Sequence, residues 1–313
     1  MTRAFGPRRA AAPARVEDAE VVLVMGIPGA GKSLVAEDYV ARGFVRLNRD
    51  ERGGSLRELA EALDDELGMG VRRVVLDNTY LTRVSRSYVL EAAARRGVAV
   101  RCVWLETPLA QAQVNMVERL LDRYGSLPSP EELKQLARRE PGALAPTSQM
   151  RALRELEPPS ADEGFVSVEH EVFSRVPSSG RAAVIVAAPA LGQSGWRDAL
   201  ADLDPTAPHL IYDWRPDAPA NALAESVELL STHASGVVDS ALCPHPAGPP
   251  TCWCRPPLPG LSLAFARVHG VDLSHSVLVG TAPAHRTLAR TLGAEYVSIG
   301  GPADPPQPRS KRG

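Results

Sequence analysis

Short apolar runs alternate with stretches of helical period along most of this 313-residue chain. Val21-Val22-Leu23-Val24-Met25 is continuously apolar, as a strand covered on both faces must be. A helical pattern from Leu34 to Ala41 follows, then a strand at Phe44-Val45-Arg46-Leu47-Asn48 and a helix over Ser55 to Leu67. The spacing next predicts a buried strand at Val74-Val75-Leu76-Asp77, and an amphipathic helix from Val84 to Arg96 stopped by Gly97. A strand at Val98 to Leu105 and a helix at Leu109 to Arg123 complete the series. Strands alternating with helices call for a parallel sheet with helices on both faces. Residues 124 to 160 carry Pro128, Pro130, Pro141, Pro146, Pro158 and Pro159 between short helical pieces, which suits a lid or a packing appendage. From Arg181 the rhythm resumes, with strands at Ala183–Val186, His209–Tyr212 and Ser276–Val279 and helices at Asn221 to Thr232 and Leu261 to His269. The expected fold class is α/β in two domains, residues 19–178 and 179–303, each built on a doubly wound parallel sheet. Tails are expected at 1–18, which is rich in Ala, Arg and Pro, and at 304–313.

The first strand runs into Gly26-Ile27-Pro28-Gly29-Ala30-Gly31-Lys32-Ser33. Strand, glycine-rich turn, Lys-Ser and helix form the Walker A context. Glycines let the backbone curl so that successive N–H groups aim at one anion, and the new helix adds its positive end. Gly26, Gly29, Ala30, Gly31, Lys32, Ser33 and Leu34 are therefore the expected ATP-binding set. Lys32 reaches the β- and γ-phosphates, and Ser33 holds Mg²⁺ through its hydroxyl.

Asn48-Arg49-Asp50 and Asp77-Asn78-Thr79 fall just past strand ends beside that loop, at the edge where parallel sheets hold ligands. A carboxylate near the γ-phosphate can orient an attacking hydroxyl and accept its proton, which makes Asp50 the candidate general base. Its alternative is a helix N-cap or a surface acid. Asp77 ends an apolar strand as a Walker B acid does, placed to bind Mg²⁺ through water or to orient Ser33. Its alternative is a strand-end cap. Arg57, Arg119 and Arg123 lie on the following helices, where arginines can neutralise a transferring phosphoryl group.

Composition changes this picture little. Hydrophobic residues make up 44% and charged residues 23%, and the net charge of −2 gives no general pull toward nucleic acid. No run of 18 apolar residues exists, and Met1 to Arg15 lacks the apolar segment of a secretory signal, so the expected setting is cytoplasmic, with no membrane. Three of the four cysteines lie between Cys243 and Cys254. Cys243, His245, Cys252 and Cys254 offer three thiolates and an imidazole within twelve residues, a plausible tetrahedral Zn²⁺ set without an open position, hence structural.

With these residues in place, the first domain resembles the kinase domain of polynucleotide kinase 3′-phosphatases. The residues that carry the likeness are the phosphate loop, Val45 to Asp50, Val75 to Thr79, Arg83 and Arg86, Ala112 through Asn115 to Arg119, and Glu163-Gly164-Phe165. Tyr80 stands where that family usually has Asn. The resemblance implies ATP- and Mg²⁺-dependent transfer to the 5′-hydroxyl end of DNA or RNA in nucleic acid repair, beside partners such as a ligase. It implies Asp50 as general base, Arg57, Asn78 and Thr79 at the acceptor, and Arg119 in the lid, with Lys32, Asp50 and Arg119 as the catalytic set. From the residues alone, the alternatives are a P-loop kinase of a small metabolite or nucleotide sugar, and an ATP-sensing interaction module.

The second half resembles the haloacid dehalogenase (HAD) phosphatase superfamily, nearest the heptose bisphosphate and histidinol phosphate phosphatases. The zinc set, Arg255, Pro257, Pro259-Gly260-Leu261 and Val279-Gly280 carry that likeness. The superfamily's nucleophilic aspartate and the second aspartate two residues later are replaced by Val186 and Ala188, so the expectation is a phosphatase fold that keeps its zinc and has lost its catalysis.

Overall fold

The computed structural model describes residues 19–140, 142–172 and 179–300. The tails expected at 1–18 and 304–313, and residue 178, where the first domain is expected to end, lie outside the described residues. The chain divides near residue 177 into two compact units, with the short segment Pro249–Cys252 grouped with the first.

The first unit runs β1 (Glu20–Met25), α1 (Lys32–Val40), β2 (Val45–Leu47), α2 (Arg49–Arg52), α3 (Leu56–Gly68), β3 (Arg73–Asp77), α4 (Arg83–Arg95), β4 (Ala99–Leu105), α5 (Leu109–Tyr124), α6 (Pro130–Arg139), α7 (Pro146–Glu155) and β5 (Ser167–Glu171). Its five strands are all parallel in the order β2-β3-β1-β4-β5. The continuous apolar run of β1 feeds two cores. Val21, Leu23 and Met25 join Leu59, Leu63, Val89 and Ala93 on the α3 and α4 side. Val22 and Val24 join Val35, Ala36 and Tyr39 of α1 on the other. Alternation within an all-apolar strand is the signature of a sheet buried on both faces. In the proline-rich stretch, Pro130 and Pro146 open α6 and α7 within their first turns, where a missing N–H costs nothing.

Beside β1 the register aligns Val24 with Asp77 of β3 and Met25 with Trp104 of β4. Leu47 of β2 aligns with Leu76 of β3. The phosphate loop therefore leaves the middle of the sheet, and the turns after β2 and β3 rise next to each other at the same edge.

The second unit runs β6 (Val184–Ala187), α8 (Ala188–Leu191), α9 (Trp196–Leu200), β7 (His209–Trp214), α10 (Ala224–Ser231), β8 (Val238–Cys243), α11 (Gly260–His269), β9 (Val277–Gly280), α12 (Pro283–Leu292) and β10 (Glu295–Ser298). It is a second all-parallel sheet, ordered β10-β9-β6-β7-β8. Three strands, β5, β8 and β10, escape the apolar-run criterion. All three are partly exposed edge strands whose apolar residues are broken up by polar ones, as in Ser-Val-Glu-His-Glu. No helix among the described residues is long and apolar enough to cross a membrane.

Candidate active site

Gly26, Gly29 and Gly31 have φ of 152°, 83° and 97°, the region in which an L side chain is strained. Gly29 has a second reason to be glycine. A Cβ there would lie 2.4 Å from the carbonyl oxygen of Ala112, where α5 crosses the loop. Gly31 then caps α1, whose first residues are Lys32 and Ser33. Leu34 is exposed, and its N–H donates to Gly31 O at 3.1 Å. The loop is tied to the neighbouring strand end by Gly26 N–H donating to Thr79 O at 3.3 Å.

Lys32 folds back on its own loop, donating from Nζ to Gly26 O and Ile27 O, each at 3.0 Å. These carbonyls hold the ammonium where an anion can later replace them. Burial, reinforced by the Arg119 charge, pushes the Lys32 pKa down to about 8, against the pull of Asp77 and Asp50. Arg119, exposed on α5, and Asp50 on α2 are thus both within electrostatic range of Lys32.

Asn48 interlocks the two motif turns. Its Oδ1 accepts from Asp50 N at 2.7 Å, and its Nδ2 donates to Asp77 O at 2.8 Å. Arg49 N–H donates to Asn78 Oδ1 at 3.3 Å. Asn48, not Asp50, is therefore the N-cap of α2. The Asp50 carboxylate stands in the first helical turn, half-exposed, with Arg49 3.9 Å away.

Asp77 lies within electrostatic range of Lys32 and is also paired. Its carboxylate accepts Arg46 Nε at 2.8 Å and Nη2 at 2.6 Å, and is 1% exposed. Arg46 also meets Glu51 at 3.0 Å. Arg46 is the residue that sequence reasoning passed over. Its signal was weak, one charged position inside a three-residue strand.

The remaining expected residues divide. Asn78 and Thr79 lie at the loop edge through the bonds just given. Arg57 projects from α3 with its side chain 77% exposed and pairs with Glu61 at 3.9 Å. Arg123 pairs with Glu140 at 2.8 Å, and Tyr124 donates its hydroxyl to the same carboxylate. Arg86 forms a fully buried pair with Glu163, which joins two of the motif segments.

Cys243, His245, Cys252 and Cys254 bring their donor atoms within 4.8 Å of one another. Cys243 Sγ lies 3.5 Å from His245 Nδ1 and 3.3 Å from Cys254 Sγ, and His245 Nδ1 lies 3.1 Å from Cys254 Sγ. Tetrahedral zinc with bonds of about 2.0–2.3 Å separates its donors by about 3.3–3.8 Å, so the set fits such an ion. Arg255 braces this loop by donating to Pro246 O at 3.2 Å and to Gly248 O.

A family model described as an AAA domain matches residues 21–142. The bifunctional polynucleotide phosphatase/kinase of Schizosaccharomyces pombe is 29% identical over 161 residues, 50% of this chain and 34% of that protein. The chain thus spans about a third of the length of that curated relative. Among solved structures, a gluconokinase from Sinorhizobium meliloti aligns at 19% identity and a TM-score of 0.34, covering 50% of this chain and 85% of that one. A chain of the Pnkp1/Rnl/Hen1 RNA repair complex aligns at 13% identity and a TM-score of 0.32, covering 92% of this chain and 98% of that one. The loop geometry and the matching family model make the first unit a P-loop domain, similar in sequence to a polynucleotide phosphatase/kinase.

Proposed function

We propose that the first domain, residues 19–178, is an ATP-dependent polynucleotide kinase that phosphorylates the 5′-hydroxyl ends of DNA or RNA. The observation that carries this reading is the division of labour between two carboxylates at one sheet edge. Asp77 is buried and committed to Arg46, whereas Asp50 is half-exposed, loosely paired and close enough to be felt by Lys32. The carboxylate left able to take a proton is thus the one an acceptor can reach. The nucleic-acid acceptor is supported by the Asn-Arg-Asp and Asp-Asn-Thr motifs and by the similarity to the fission yeast protein.

Asp50 accepts the proton of the terminal 5′-hydroxyl as its oxygen bonds to the γ-phosphorus of ATP. The bond to the β–γ bridging oxygen breaks, and ADP leaves with that electron pair. Lys32 and Arg119 neutralise charge on the transferring group. Ser33 is the residue to hold Mg²⁺, which when bound draws charge from the β- and γ-oxygens. Arg57, Asn78 and Thr79 are the proposed acceptor contacts.

The second domain, residues 179–303, is proposed as an HAD-like phosphatase fold without catalysis. The carboxyl end of its central strand presents Val186, Ala187 and Ala188, with no carboxylate to attack phosphorus. Asp213, at the end of β7, is held by Arg215 Nε at 2.7 Å and by Trp214 N–H at 2.8 Å. Structural Zn²⁺ on Cys243, His245, Cys252 and Cys254 pins the loop after β8. A repair partner such as a ligase would act on the 5′-phosphate produced.

The test is transfer of label from γ-labelled ATP to matched 5′-hydroxyl DNA and RNA oligonucleotides, with small alcohols as competitors. Transfer to an oligonucleotide, abolished in Lys32→Ala and reduced at least a hundredfold in Asp50→Ala, is expected. Preferential phosphorylation of a small alcohol would make the protein a metabolite kinase. Activity untouched by Asp50→Ala would leave an ATP-sensing module.

A further inference from the structure

Three consecutive carbonyls of the phosphate loop are each captured by a side chain from a different element. Pro28 O accepts from Gln149 Nε2 at 2.7 Å, Gly29 O from Asn115 Nδ2 at 2.8 Å, and Ala30 O from Thr107 Oγ1 at 2.9 Å. The donors come from α7, α5 and the turn between β4 and α5. All three are buried, Gln149 completely. Gln111 Nε2 donates to Asn115 Oδ1 at 2.9 Å, which fixes which end of that amide faces the loop.

A trans peptide carries the C=O of one residue and the N–H of the next on opposite sides. Holding Pro28 O and Ala30 O toward the helices therefore turns the N–H groups of Gly29 and Gly31 the other way, toward the anion. The third peptide serves the loop's own shape, since Ala30 N–H closes a turn on Ile27 O at 3.1 Å. Gln149 also has a buried Oε1 with no partner. A buried acceptor without a partner is costly, and the glutamine carries that cost while its Nε2 satisfies Pro28 O. Packing alone does not explain a glutamine there.

We propose that Gln149, Asn115 and Thr107 are positioning residues that pre-form the nucleotide loop, and that Gln149 makes nucleotide affinity depend on the docking of α7. The inference rests on reading this loop as the nucleotide site, and not on the identity of the acceptor. The proline-rich segment then has a task, since α7 supplies one of the three clamps.

The experiment titrates a fluorescent ATP analogue into the full chain and into Gln149→Leu, Gln149→Glu, Thr107→Val and Thr107→Ser, with thermal midpoints measured in parallel. Gln149→Leu removes both a dry Oε1 and the donor to Pro28 O, so its midpoint is expected to stay near the parent's while it binds the analogue about tenfold more weakly. Gln149→Glu, which sets a carboxylate against Pro28 O, is expected to bind more weakly still. Thr107→Val is expected to weaken binding and Thr107→Ser to restore it. In turnover, KM for ATP should rise while KM for the acceptor stays fixed. Unchanged affinity in both Gln149→Leu and Thr107→Val overturns the proposal, as does a loss that merely tracks a fall in midpoint. If the parent binds the analogue but phosphorylates no oligonucleotide, only the acceptor reading falls. If the parent binds no analogue, both fall.

Discussion

Arg46 and Asp77 are joined as a fork, Nε to Oδ1 at 2.8 Å and Nη2 to Oδ2 at 2.6 Å, with the carboxylate almost wholly out of water. The pair spans the ends of β2 and β3, so the two motif turns are held by a side-chain bridge as well as by the bonds of Asn48.

Arg46→Met strands the buried Asp77 carboxylate without its cation. A loss of about 3–5 kcal/mol in unfolding free energy is expected by denaturant titration. Arg46→Lys keeps the charge but not the planar fork, and is expected to recover only part of that loss. Equal stability of Arg46→Met and the parent would show the bridge to be dispensable.

Lys32 sets a pH dependence. Its free-state pKa of about 8 lies below the ordinary 10.5, so the folded chain without nucleotide binds fewer protons than the unfolded one between those values, and its stability from this group rises with pH there. Nucleotide opposes this, because phosphate stabilises the ammonium and raises its pKa. Binding must then take up a proton above pH 8. Affinity for an ATP analogue, followed by fluorescence from pH 7 to 9.5, is expected to be flat below about 8 and to fall above it, and the fall should vanish in Lys32→Ala.

The Arg86–Glu163 pair is expected to dominate the stability of the first unit. Arg86 makes two bonds of 2.7 Å to Glu163 and donates from Nη1 to Tyr80 O at 3.1 Å and Glu157 O at 2.9 Å. Tyr80 is held at φ 44°, a left-handed conformation rare for an aromatic residue, directly after the Thr79 carbonyl that grips Gly26. Arg86→Ala is expected to cost about 3–5 kcal/mol, read by calorimetry or denaturant titration. Glu163→Gln, which spares the bonds to the carbonyls of Tyr80, Leu81 and Glu157, should cost less.

Metal removal has its own reporter. Trp214 donates its indole N–H to His245 O at 2.8 Å, and Trp253 is buried between Cys252 and Cys254. For the zinc-loaded chain, chelation is expected to red-shift tryptophan emission and to lower a thermal midpoint. Cys254→Ser should reproduce this. Cys102→Ser should not, since burial pushes the Cys102 thiol up to about 12, far from the thiolate a metal needs.

The amino-acid sequence by itself determined the central strands, the phosphate loop and the four-residue metal set. Each rests on local chemistry: apolar runs long enough to bury both faces, glycines at φ values other residues avoid, and thiols a few residues apart. It also placed Asn48 to Asp50 and Asp77 to Thr79 just past strand ends. Only the tertiary structure decided what those residues do to one another. The Asp77 carboxylate turned to Arg46 because neighbouring parallel strands bring their ends within side-chain reach, a relation between residues 31 apart in the chain. Gln149 reached Pro28 across 121 residues because α7 comes against the phosphate loop. The edge strands β5, β8 and β10 were invisible because a half-exposed strand draws its pairing from the sheet it joins, and leaves little apolar signature of its own.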